Sequence, residues 1–180
     1  MLLFSKPAMS YLRCGRLVAQ FLGNAIADDA KTLLEQTGTT TDEGKWQLVR
    51  ELFCYRLFAF RIGSQVAFDA DKGGRTLLVQ AIGPILVESF VNAKIFASET
   101  QFNELVDKRG LAYRGAMDDA VRGAKPDTAK ALLNLCLEFA KNVGVSNPDV
   151  AATWATRWGT WRDSDTRFVN LLRRKYRLVE

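Results

Sequence analysis

Two consecutive stretches, residues 42–69 and 75–97, carry apolar side chains around almost the whole circumference of a helix. This feature constrains the fold more than any other. The first stretch holds Trp46, Val49, Leu52, Phe53, Leu57, Phe58, Phe60, Ile62, Val66 and Phe68. A helix that is apolar all round must be enclosed by other helices, whereas a helix with one apolar stripe lies at a surface. The flanking segments are of the second kind. Over residues 7–36, Val18, Leu22, Ile26 and Leu33 share one face, and Arg13, Gln20, Asp28 and Lys31 lie opposite. Phe102, Leu105 and Val106 mark a similar face over residues 99–122, and Leu132, Leu135, Cys136 and Phe139 mark one over 126–143. No run alternates with the period of two that a strand pair requires. The expectation is an all-α chain: a compact single-domain bundle of six or seven helices around two strongly apolar central ones. It covers residues 1–180, with the chain after about residue 176 frayed.

Local signals place the helix ends. Thr41 is an N-cap, followed by Asp42 and Glu43 at the positive end of the dipole. Lys72-Gly73-Gly74 breaks the chain, and Pro84 should kink the helix that follows. Gly73-Gly74-Arg75-Thr76 lacks the Lys-Ser/Thr of a phosphate loop and reads as an interhelical turn. Ser98 with Gln101 has the spacing of a capping box. Gly110 and Gly115 weaken the fourth helix. The fifth starts near Pro126, and Gly144-Val145 suits a left-handed cap at its end. Asn147-Pro148-Asp149 opens the last segment, which Gly159 or Asp163-Ser164 divides in two.

Composition removes whole classes of function. The chain has no His, so it has no His general base, no Ser-His-Asp or Cys-His catalytic set and no Cys/His zinc site. Cys14, Cys54 and Cys136 are far apart and odd in number, which argues against a secreted disulfide framework and for the cytoplasm or another reducing intracellular compartment. Cys54 has Arg50 one turn away, a weak signal of thiol activation. No cofactor or metal is implied. No stretch reads as long and apolar enough to span a bilayer, Leu77–Val87 coming nearest.

The net charge of +5 is uneven. Residues 1–27 carry three basic residues (Lys6, Arg13, Arg16) and no acid, while residues 157–180 carry seven basic and three acidic ones. The body between is slightly acidic. Arg13 and Arg16 interrupt the apolar run that a secretory signal needs, which leaves an organelle presequence open.

Three constellations could carry specific chemistry. Trp154, Trp158 and Trp161 share a helix face that Phe168 and Leu172 extend. That spacing suits a core stripe. If exposed, Trp154, Arg157, Trp158, Trp161 and Arg162 have the residue types that dominate binding hot spots. Arg162, Arg167, Arg173, Arg174 and Lys175 form a basic last segment, suited to a helix C-terminus or to phosphate backbones. Gln80, Pro84, Glu88 and Asn92 fall at four-residue intervals on one stripe, which suits the exposed face of a helix or a pairing of Glu88 with Arg56 or Arg61; the sharper reading is a buried polar site of Glu51, Glu88 and Asn92. The leading expectation is a non-enzymatic interaction or assembly module that binds another protein or itself through the Trp/Arg segment. The alternatives are a nucleic-acid-binding protein using the basic last helix, an enzyme with a Glu in a helical cleft (Glu51, Glu88 or Glu138), and a protein that holds a hydrophobic small molecule between the second and third helices.

Overall fold

The computed structural model describes residues 6–69, 71–122, 127–145 and 148–180. Six helices dominate them: α1 (Tyr11–Thr37), α2 (Asp42–Phe68), α3 (Lys72–Asn92), α4 (Glu99–Val121), α5 (Thr128–Asn142) and α6 (Pro148–Lys175). Short strands β1 (Ala8–Ser10) and β2 (Arg177–Val179) pair in parallel, Ala8 opposite Arg177 and Ser10 opposite Val179. The all-α expectation holds.

The caps follow the sequence. The Thr41 hydroxyl accepts from the Gly44 amide at 3.2 Å. Ser98 Oγ accepts from Gln101 N at 3.2 Å, and Gln101 Oε1 accepts in return from Ala97 N at 2.7 Å. Gly144 takes φ 71°, and Val145 N donates to Ala140 O at 2.9 Å, closing a left-handed cap. Pro126 and Asn147 lie outside the described residues. Asp127 caps α5 by accepting from Lys130 N at 2.9 Å.

α2 is the central helix. From Glu51 to Phe60 every residue except Leu57 is buried, because α1, α4, α5 and α6 all pack against it. Its tightest partner is α6. A Cβ placed on Gly63 would lie 2.8 Å from Arg162 O, so only glycine allows this approach, and Thr166 Oγ1 donates across it to Gly63 O at 3.1 Å. Phe53, Phe90, Phe96 and Phe102 cluster beside the middle of α2, with centroid separations of 4.3–6.4 Å.

Four expectations change. α3 is not central: only Gly74, Leu78, Ile82, Leu86 and Phe90, a single stripe, are buried, against α1 and the end of α2. α3 is also long and apolar enough to cross a membrane by length and composition, with a mean hydropathy of 1.2 and 28% of that window buried. Averaged over a full span, its apolar residues outweigh Gln80 and Glu88. α6 is one unbroken helix of 28 residues. Its buried stripe of Trp154, Trp158, Trp161, Asp165, Val169 and Leu172 runs straight across Gly159 and Asp163-Ser164, and packing on α2 holds both sites helical. The chain after residue 176 is not frayed, because Arg177 N donates to Pro7 O at 3.0 Å and begins the strand pairing. Three-residue strands are too short to write a period into the sequence.

Candidate functional site

The tryptophans settle first. Trp154, Trp158 and Trp161 are all buried. Trp154 Nε1 donates to Gln36 Oε1 at 2.9 Å, and Trp161 packs edge-on to Tyr55 at 5.8 Å. The expected exposed Trp/Arg patch is therefore corrected: the stripe faces α2 and is core. Arg157 pairs with Asp29 of α1 and lies over the Trp154 ring at 5.1 Å. Arg162 pairs with its neighbour Asp163 at 2.7 Å.

The basic segment divides. Arg173 turns inward, donating to Ala67 O, contacting Asp71 at 3.4 Å and stacking on Phe68 at 4.4 Å. Arg167, Arg174 and Lys175 are exposed. With Arg173 turned inward and Arg162 paired at the surface with Asp163, two members of the expected row of phosphate contacts are already engaged within the protein.

The candidate polar site divides too. Glu51 is buried and held by Arg109, whose Nε donates to Glu51 Oε2 at 2.6 Å. Glu88 is exposed and does not meet Arg56. Arg56 instead donates from Nη2 to Asp165 Oδ1 at 2.6 Å, in a second, fully enclosed pair. Pairing is the expected fate of a buried charge. Burial nevertheless pushes the carboxyls of Asp165 and Asp29 above the ordinary aspartate value, outweighing Arg56 and Arg157 respectively. Glu138 lies beside Lys141 at 3.7 Å. None of Glu51, Glu88 and Glu138 is an isolated buried acid. Cys54 is no nucleophile either. Arg50 donates to Ile95 O at 2.5 Å and pairs with Glu43, and burial pushes the Cys54 thiol strongly up. Burial also pushes Cys14 and Cys136 up to about 11.

What remains is a cleft of about 590 Å³ between α2, α3 and α4. It exists because α3 leans on α1. A Cβ on Gly15 would lie 3.1 Å from Ala81, so α1 and α3 approach closely there and α3 stands off α4. Leu57 and Phe60 of α2, Leu86 and Val87 of α3, and Phe102 and Val106 of α4 give apolar walls. Two rows at four-residue spacing, polar except for Pro84, line the same space. Gln80, Pro84, Glu88 and Asn92 come from α3, and Glu99, Asn103 and Asp107 from α4. The lining holds three carboxylates and one guanidinium, that of Arg61. Glu88 and Asn92 thus belong to one site, and Glu51 does not. The α3 row stood out in the sequence. The matching α4 row was missed, although its spacing was the available signal.

Among the described residues no cluster of Cys, Asp and Glu has the grouping that would hold a metal ion. The chain matches no protein-family model, no curated protein and no solved structure.

Proposed function

We propose that this protein is a non-enzymatic binding protein whose cleft between α2, α3 and α4 takes a small amphiphilic molecule with an apolar body and a cationic head. The cleft itself carries this reading. Its volume of about 590 Å³ falls within the usual range for small-molecule sites. The apolar walls suit a hydrocarbon or ring body, and Glu88, Glu99 and Asp107 give the lining a negative balance that favours a cation.

The test is native mass spectrometry of protein purified without detergent, followed by titration with Nile red. Displacement should be stronger by an alkyl-trimethylammonium than by an alkyl sulfate of equal chain length. Val87→Trp, or Val91→Phe as a milder variant, should fill the cleft and abolish probe binding while the melting temperature is kept. No probe binding by the parent protein, or unchanged binding in both variants, removes the proposal. Preference for the sulfate keeps the cleft and overturns the cationic head.

A further inference from the structure

The uneven charge along the sequence has a counterpart in space. β1 and β2 pair in parallel, and α1 and α6 run antiparallel away from them. Phe21 stacks on Phe168 at 4.5 Å, Asp29 meets Arg157, and Gln36 meets Trp154, so advance along α1 is retreat along α6. Residues 6–16 and 171–177, far apart in the chain, therefore lie at one pole of the bundle. Lys6, Arg13, Arg16, Arg174, Lys175 and Arg177 are all exposed there; the acids beside them are Asp71, which contacts Arg173, and Glu180, and the cations outnumber them. This excess of positive charge favours an anionic partner.

The apolar residues of the pole choose between polyanions. Leu12 is 52% exposed, Leu17 36% and Leu171 59%. Leu17 lies one turn before Phe21, and Leu171 one turn after Phe168, so both flank the same α1–α6 seam. Single-stranded nucleic acid would call for exposed aromatic rings on which bases stack. The tyrosines of the pole, Tyr11 and Tyr176, are half-buried instead. Basic side chains interleaved with exposed leucines are the composition of a membrane-interface surface.

We infer that this pole docks on an anionic lipid surface. The six cations meet headgroup phosphates and carboxylates, and Leu12, Leu17 and Leu171 enter the boundary of the acyl region. The inference is independent of the cleft and its ligand.

Flotation with vesicles tests it, using phosphatidylcholine alone and phosphatidylcholine with about one-third phosphatidylserine, the kind of anionic surface that attracts basic segments. Each is run at low and physiological salt, beside titrations with labelled RNA and duplex DNA. The protein should float with the anionic vesicles only. Arg13→Glu/Arg16→Glu and Arg174→Glu/Lys175→Glu should each weaken binding by about tenfold or more, with unchanged melting curves. Leu17→Gln/Leu171→Gln should remove the binding that survives physiological salt. Absence of flotation, equal flotation with neutral vesicles, tighter binding to nucleic acid than to vesicles, or indifference to the leucine changes overturns the assignment.

Discussion

Removing Asp165 should be among the most damaging single changes in this protein, and removing Arg56 with it should undo most of the damage. Arg56 is 1% exposed, and its guanidinium meets Asp165 through two hydrogen bonds. Its Nε has no partner among the described residues, and Trp161 and Phe21 lie 5.3 and 6.0 Å from its central carbon. Asp165→Ala would remove the carboxylate that bonds this cation, leaving ring faces and the more distant charge of Asp29. Breaking a buried pair in this way costs about 3–5 kcal/mol, a large share of a typical folding free energy of roughly 5–15 kcal/mol. At about 2–4 °C per kcal/mol for a chain of this size, the melting temperature should fall by roughly 6–20 °C. Arg56→Met/Asp165→Leu removes both charges and keeps apolar volume. Burial already holds the Asp165 carboxyl above its ordinary value despite Arg56, which means desolvation outweighs the attraction. The double variant should therefore come within about 1 kcal/mol of the parent or exceed it. Thermal melting by circular dichroism and a double-mutant cycle in urea give the numbers. A loss below about 1 kcal/mol for Asp165→Ala, or a double variant as weak as the single, would refute the reasoning.

Two further outcomes follow from the same burial. With every thiol buried and raised, Ellman's reagent should label none of Cys14, Cys54 and Cys136 in the folded protein and all of them in guanidinium; rapid labelling of Cys54 in native buffer would restore an activated thiol. Burial raises Asp29 above the ordinary 3.8 despite Arg157, so the native state binds that proton more readily than the unfolded chain. Its contribution is then full below the unfolded value and lost as pH rises through the folded one. The stability difference between parent and Asp29→Asn should therefore favour the parent more at about pH 3.5 than at pH 7, and melts showing the opposite trend would mean that Arg157 outweighs burial.

The legible parts of this fold are those written locally. Thr41, Ser98 and Gly144 mark helix ends because caps depend on a few adjacent residues. α2 was recognisable as the central helix because a run such as Leu52-Phe53-Cys54-Tyr55 leaves no face for water. α3 shows the limit of that argument. Its apolar flanks are half-buried because it leans on α1, and neither the lean nor the cleft it opens is encoded within α3. Helical spacing of Trp154, Trp158 and Trp161 reads the same for a core stripe and a surface patch, and only their packing on Tyr55, Phe58 and Phe139 decides. The partners of Arg56 and Arg109 lie 109 and 58 residues away, a separation that no periodicity reports.

The pairing of Ala8–Ser10 with Arg177–Val179 also has a consequence in time. A nascent chain can form α1, α2 and the contacts among its earlier helices while synthesis continues. It cannot form the parallel pair until residue 179 has been made. Until then the arginines of α1 stand without those of α6, and the concentrated positive pole does not exist. The charge of that pole is thus a property of the folded assembly of two distant segments, and a chain lacking residues 171–177 would carry only half of it.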